Sequence, residues 1–275
     1  MCSIEWKRYM EKVNLQKRLA PQACPLCGEL QDVLVNGHHH ASKDDTQTVI
    51  IQQDLGYSFC NCRNIFYTDW SNMEQGVYDK DYYKKYDTEN IRQAIRNLFY
   101  AYNPQILGNL PTLGDTFKRA VLDIGSINPE LLDCFSRQGF KTFGMDIHKH
   151  PLGDHKLIVS DFEKFDIGGN ERFSVIWASH VVEHFKDPIA AVGKVHSILD
   201  EGGLLFVAMP DTYFIDWGSP YKWGHWHLKE HHILWDLDCF CELLEEKGFE
   251  IIMKRHNPET NMICLADMHI LARKR

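Results

Sequence analysis

The chain has 275 residues, enough to bury a substantial core in one large domain or in a domain plus a small module. With 44% hydrophobic and 25% charged residues and no apolar run long enough to span a bilayer, it reads as a globular chain that neither enters nor crosses a membrane. A formal net charge of −8 gives no overall attraction for a polyphosphate backbone, which disfavours nucleic acid as a partner.

In chain order, residues 1–20 read as an amphipathic helix ending before Pro21. Their opening, MCSIEWKRYMEK, lacks the apolar stretch of a secretory signal. Nine cysteines without such a signal are expected to be reduced thiols in a cytoplasmic protein. CPLCG at 24–28 and FCNC at 59–62 bracket HHHASKDDTQT, which has no periodicity and is expected as loop, hairpin or disorder. Its triple histidine is read as a solvated run. Cys24, Cys27, Cys60 and Cys62 would offer zinc the four thiolates of a tetrahedral site. CPxCG is a strong half-site and CxC a weaker one, and the alternative is free thiols on a hairpin. Because so small a module has little core, structural zinc would supply its folding energy.

From Thr88, the run TENIRQAIRNLFYAY sets Ile91, Ile95, Leu98, Phe99 and Tyr102 at helical spacing, with Thr88 as N-cap and Pro104 as a stop. After Phe117, short apolar runs alternate with helical segments through AVLDI, PELLDCFSRQ, KTFGMDI, KLIVSD, FSVIWAS, IAAVGKVHSIL, LLFVAMP and DLDCFCELLEEK. That alternation predicts an α/β, Rossmann-like fold with a mostly parallel sheet covered on both faces. FEIIMKR and MHILARK then follow each other without a helix, so one of them enters the sheet antiparallel. The expected plan is a cysteine module over 1–78, a helical connector over 79–116 and an α/β domain over 117–275.

Open α/β sheets bind ligands outside the carboxyl ends of their strands. VLDIGSINPELL at 121–132 supplies the first strand, its turn and the next helix start. Asp146 in GMDI comes roughly 20 residues after Asp123, the distance at which a second-strand carboxylate meets a ribose diol. Asp161, after the third strand, is placed for an adenine edge. Within SINPE, Asn128 suits an N-cap, Pro129 the first helical position and Glu130 the positive end of the helix dipole. Helix initiation therefore needs no further glycine, and Gly125 stays at the strand end, where ligand contact is closest.

These motifs, followed in order by FSVIWASHVVEHFKDP and LDEGGLLFVAMP, make residues 117–275 resemble class I S-adenosylmethionine-dependent methyltransferases. The resemblance implies a seven-stranded sheet and S-adenosylmethionine as cofactor. It sets Asp146 on the ribose hydroxyls, Asp161 and Phe162 at the adenine, and Asp123 and Gly125 near the methionine end. Ser126, Ile147 and Ser179 complete the expected cofactor contacts. The departure lies at Ile127 and Pro129, where the family usually has glycine. S-adenosylmethionine has no phosphate, so the close backbone approach that a dinucleotide demands is relaxed.

Two further stretches bear on chemistry. HVVEH at 180–184 sets His180, Glu183 and His184 on one face if helical, and HxxEH is also the pattern of an inverted zinc peptidase. Its position after the fourth strand fits a methyltransferase instead. Some ubiquinone-pathway O-methyltransferases carry a related acid-x-x-Glu-His segment associated with a divalent cation. The plainer role for Glu183 and His184 is to tie the loop to its neighbours. The cysteine module, VYDKDYYKKY and the methyltransferase domain together resemble a family that includes sugar C-methyltransferases, whose Glu-His pair matches Glu230 and His231 of KEHHILWD.

WGSPYKWGHWHLKEHH, just before that pair, is the densest aromatic and histidine stretch and is expected to line or cover an acceptor pocket. The resemblance thus implies methyl transfer to a small-molecule acceptor of tailoring or nucleotide-sugar type. His231 with Glu230, then His180 and His184, are the candidates to take the proton. Packing is the plainer role for Trp217, Trp223 and Trp226. An rRNA methyltransferase with a zinc module and a non-catalytic, zinc-anchored partner-binding protein are the alternatives, and the oligomeric state stays open.

Overall fold

A computed structural model of the protein describes residues 22–31, 33–43, 46–60, 62, 65–68, 84, 87–111, 119–166, 171–216, 223–227, 229–258 and 266–275. The expected N-terminal helix, VYDKDYYKKY apart from Lys84, and Trp217 lie outside these residues. The chain divides into two compact units. One comprises Met1–Gln75, Glu183–Asp187 and Pro210–Phe240; the other comprises Gly76–Val182, Pro188–Met209 and Cys241–Arg275. Among the described residues, no helix is long and apolar enough to cross a membrane.

In the first unit, β1 (Gln22–Ala23) and β2 (Leu30–Gln31) form a two-stranded antiparallel sheet around the CPLCG turn. β3 (Val33–Lys43) and β4 (Thr46–Cys60) pair antiparallel, so the histidine-rich stretch is the strand of a hairpin, with His38, His39 and His40 opposite Ile51, Ile50 and Val49. β5 (Ile65–Tyr67) extends that sheet, and β11 (Ile233–Leu234), within HHILWD, completes it in the order β11-β5-β4-β3. A segment far along the chain thus becomes an edge strand of the N-terminal sheet, with Ile233 opposite Tyr67 and Leu234 opposite Phe66. Tyr57, Tyr67, Trp226 and Trp235 are fully buried, and Trp226 meets Tyr57 edge to face. Trp223 is buried too, so packing is the observed state of two of the three tryptophans of the aromatic stretch.

In the second unit, seven strands form one sheet in the order β12-β13-β10-β9-β6-β7-β8. They are β6 (Ala120–Ile124), β7 (Lys141–Asp146), β8 (Lys156–Val159), β9 (Phe173–Ser179), β10 (Leu199–Pro210), β12 (Phe249–Asn257) and β13 (Asp267–Lys274). β6, β7, β8, β9 and β10 pair parallel, whereas β12 and β13 pair antiparallel, as two strands without an intervening helix must. Alternate residues Val175, Trp177, Leu204, Phe206 and Ala208 face a core completed by α1 (Glu89–Asn109) and α2 (Glu130–Ser136). The intervening Leu122, Ile176, Leu205 and Val207 are buried as well, so both faces of the sheet are covered.

Thr88 caps α1 by accepting the Ile91 amide at 3.4 Å. The helix does not stop at Pro104, as the sequence reading expects; it continues to Asn109. An interior proline costs about 3 kcal/mol through a lost hydrogen bond and a ring clash. Phe99 and Tyr102 before it and Ile106 after it all sit in the core, and that shared packing carries the helix across the break. α2 starts one residue later than the sequence suggests: Pro129, at φ −74°, is the N-cap and its carbonyl accepts the first helical amide, from Asp133, while the Asn128 side chain accepts the Glu130 amide at 3.1 Å. Glu130 is buried against Arg96 of α1 at 2.9 Å.

Candidate functional site

The strand order reverses beside β6: the chain passes from β6 to β7 on one side and later returns to β9 on the other. That switch point opens a crevice outside the carboxyl ends of the strands. Asp123, next to the end of β6, is buried with burial raising its pKa to about 7, the nearby Ser126 hydroxyl opposing the rise and the Asp146 charge adding to it. Gly125 has φ +74°, and a Cβ added there would lie 3.3 Å from Val181. Both the conformation and the space favour glycine. The Gly125 and Ser126 amides donate to the Met145 carbonyl at 2.9 and 3.0 Å, which ties the turn to β7. Gly144 of β7 is equally constrained, since a Cβ there would stand 2.3 Å from Leu152 and 2.8 Å from the Ser126 hydroxyl.

At the end of β7, one carboxylate oxygen of Asp146 accepts the His148 amide at 2.8 Å, and Ile147 beside it is exposed. After β8, Asp161 accepts the Glu163 amide at 3.0 Å and pairs with Lys164, while Phe162 is buried. α3 (Pro188–Ile198) supplies Lys194, whose ammonium donates to the carbonyls of Phe162, Glu163 and Phe165, each at 2.8 Å, and lies 5.4 Å from the Phe162 ring. Sequence reasoning missed Lys194, because nothing marks a lysine in an amphipathic helix as the clamp of a distant loop.

The sign of the Asp123 shift gives a testable expectation. Its ordinary pKa is 3.8. A native group with a raised pKa keeps its proton where the unfolded chain has released it, so stability falls as pH climbs toward the native value. Stability of the ligand-free protein should therefore drop by on the order of 3 kcal/mol between about pH 4.5 and about pH 7.5 relative to Asp123→Asn, in which this titration is absent. Paired thermal melts of the two proteins across that range check it; parallel curves would contradict it.

β9 ends at Ser179, and the next residue, His180, has φ +52°, an uncommon conformation for a side chain of that size. Its amide donates to the Ala208 carbonyl at 2.8 Å, and its Nε2 lies 3.0 Å from Oδ2 of Asp267, a fully buried carboxylate at the start of β13. Strain of this kind persists where the surroundings hold it and clusters at functional sites. Asp267 is 87 residues from His180 in sequence, and no local pattern pairs them.

The other proton-acceptor candidates lie together in the first unit. His184 Nδ1 is 2.6 Å from the Glu230 carbonyl, so the Glu230 backbone, rather than its carboxylate, makes that contact. His231 is buried, its Nδ1 2.9 Å from the His225 carbonyl. Burial, helped by the neighbouring His184, His227 and His225, holds its pKa well below the usual imidazole value. Glu183, also buried, stands 3.9 Å from His184 Nε2 and 4.0 Å from His231 Nε2.

The four expected zinc ligands converge in the same unit. Cys24 and Cys62 sulfurs are 3.6 Å apart, as are those of Cys27 and Cys60, and all four lie within 4.8 Å of one another. Gly28, at φ +78°, closes the turn with its amide on the Cys24 carbonyl at 2.8 Å. Burial pushes the Cys24 thiol up to about 11. Sulfurs around a tetrahedral ion with bonds near 2.3 Å stand about 3.8 Å apart, so the donor set fits zinc.

No curated protein shows significant sequence similarity to the chain. Among solved structures, it resembles the plantazolicin methyltransferase BpumL in complex with SAH, at 15% identity and TM-score 0.50 over 71% of this chain and 88% of that one. It also matches 1,6-didemethyltoxoflavin-N1-methyltransferase of Burkholderia thailandensis, at 13% identity and TM-score 0.49 over 86% and 99% of the two chains. A third match is the N-methyltransferase NodS of Bradyrhizobium japonicum WM9, at 13% identity and TM-score 0.47 over 72% and 93%. At such identities, likeness speaks only to the fold. A family profile described as a methyltransferase domain matches residues 90–254, well over half of the sequence and the stretch that contains β6 through β10. The chain therefore belongs to the methyltransferase domain family, with the Rossmann-like seven-stranded sheet of class I methyltransferases.

Proposed function

We propose that the protein transfers the methyl group of S-adenosylmethionine to a small-molecule acceptor. The observation that carries this reading is the set of three acids, Asp123, Asp146 and Asp161, at or just beyond the carboxyl ends of three adjacent parallel strands, beside a glycine turn at the switch point. The net charge of −8 and the likeness of KEHHILWD to sugar C-methyltransferases support a small acceptor over RNA. S-adenosylmethionine, when bound, supplies an electrophilic methyl on a sulfonium. Asp146 would accept from the ribose hydroxyls, Asp161 and Phe162 would meet the adenine, and Asp123, with Gly125 and Ser126, would face the positively charged methionine end. A cation beside Asp123 would favour the carboxylate that burial alone disfavours.

For the proton released by the acceptor, we favour His180. It follows Ser179 at the switch point, and Asp267 orients its ring in the way a general base requires. His231, with Nε2 turned toward Glu183 and His184, is less suited to that role than KEHHILWD alone suggests. The four cysteines are assigned to structural zinc, supported by their tetrahedral fit.

Calorimetry with Asp146→Ala tests the cofactor reading. Losing two charge-assisted hydrogen bonds costs about 2–3 kcal/mol, so the dissociation constant for S-adenosylmethionine should rise about a hundredfold. An unchanged constant would remove Asp146 from the site.

A further inference from the structure

We propose that Glu183, His184 and His231 hold a divalent transition-metal ion, in a site separate from the cysteine cluster. The inference goes beyond methyl transfer and does not depend on it. One ligand atom from each residue lies within 4.8 Å of the other two. The two Nε2 atoms stand 3.9 and 4.0 Å from Glu183 Oε1, beyond hydrogen-bonding distance. Donors bound to a common ion at about 2.0–2.2 Å sit about 3.0–4.0 Å apart, so both carboxylate–imidazole separations already lie at the upper end of that range.

The hydrogen bonds decide which atoms face inward. A backbone carbonyl only accepts, so His184 Nδ1 must donate to Glu230 O and His231 Nδ1 to His225 O. Each ring therefore presents its Nε2 lone pair to the carboxylate. An imidazole whose Nδ1–H is held by a carbonyl while Nε2 points at a shared centre is the arrangement of metal-bound histidine. The rings meet edge to face, with centroids 5.0 Å apart and planes at 73°, so they converge on a point rather than stack. Toward one another the three atoms are all acceptors, so none hydrogen-bonds to another, and a cation between them would take a lone pair from each.

The supports are rigid. The His232 amide donates to Glu183 O at 2.8 Å, the His231 amide to His227 O at 2.8 Å, and the Tyr57 hydroxyl to His231 O at 3.1 Å. The side chains of Glu183 and His231 are 1% and 7% exposed, so the donors are held before any ion arrives. Two imidazoles and one carboxylate suit zinc, cobalt or ferrous iron and leave a coordination position open; magnesium and calcium prefer an all-oxygen shell.

Metal content of the full-length protein, loaded with zinc, dialysed and measured by plasma mass spectrometry, tests the site. Glu183→Gln, His184→Ala and His231→Ala should each carry on the order of one equivalent less zinc than wild type, whatever the cysteine cluster holds. Cobalt loading separates the two sites: the variants should lose the cobalt bands of a nitrogen and oxygen site and keep the thiolate charge-transfer band, which also reports that the cysteine module is folded. Magnesium at the same concentration should not displace the zinc. Equal metal content in wild type and all three variants, or a variant loss confined to the thiolate band, would overturn the proposal.

Discussion

Replacing Cys27 or Cys60 by serine, or stripping zinc with a chelator, will abolish protection of the backbone amides of β4 and β5 while leaving those of β6 and β9 intact. Among the described residues, the interior of the first unit's two antiparallel sheets is small, built from Tyr57, Ile65, Phe66, Tyr67, the strand from HHILWD and the Trp226 ring against Tyr57. Structural zinc contributes about 10–16 kcal/mol of apparent folding free energy in small modules, more than a core of this size supplies alone. The sheet unit rests on its own cluster of buried aromatic and aliphatic side chains, including Trp177 stacked on Phe206 at 4.0 Å. Hydrogen exchange resolved by peptide checks the difference, and protection of β4 that survives metal removal would contradict the zinc assignment.

His180→Asn should lower the rate of methyl transfer by about 10²–10⁴, the usual contribution of a positioned base, with S-adenosylmethionine affinity changed no more than a few-fold. Asp267→Asn should produce a smaller loss, because it leaves the imidazole present but unsupported. A purely structural role would not alter the pH profile, whereas removing the base removes the rise in rate as imidazole deprotonates. Incorporation of a labelled methyl group into a metabolite extract provides the assay. Undiminished transfer by His180→Asn would move the base elsewhere.

Much of the sheet unit was legible because its signals are local. FSVIWAS corresponds residue for residue to β9, and SINPE contains the whole start of α2 in adjacent residues. Pro104 misled for the same reason: a local stop signal is outweighed by Phe99, Tyr102 and Ile106 packing into one core. CPLCG and FCNC marked a cluster that the strands β1 to β5 bring together. The pairings that matter most for chemistry are non-local. His180 with Asp267, Lys194 with the loop after β8, and Glu183 and His184 with His231 each join residues that no periodicity links. The addition of Ile233–Leu234 to the N-terminal sheet is of the same kind, since two apolar residues carry no address for their partner strand.

Titrating S-adenosylmethionine into the metal-loaded, full-length protein by calorimetry tests the central claim most directly. The three strand-end acids and the glycine turn predict saturable binding of one equivalent, with competition by the demethylated product. No binding heat at any temperature across a range wide enough to reveal a heat-capacity change, together with no competition by the product, would contradict it.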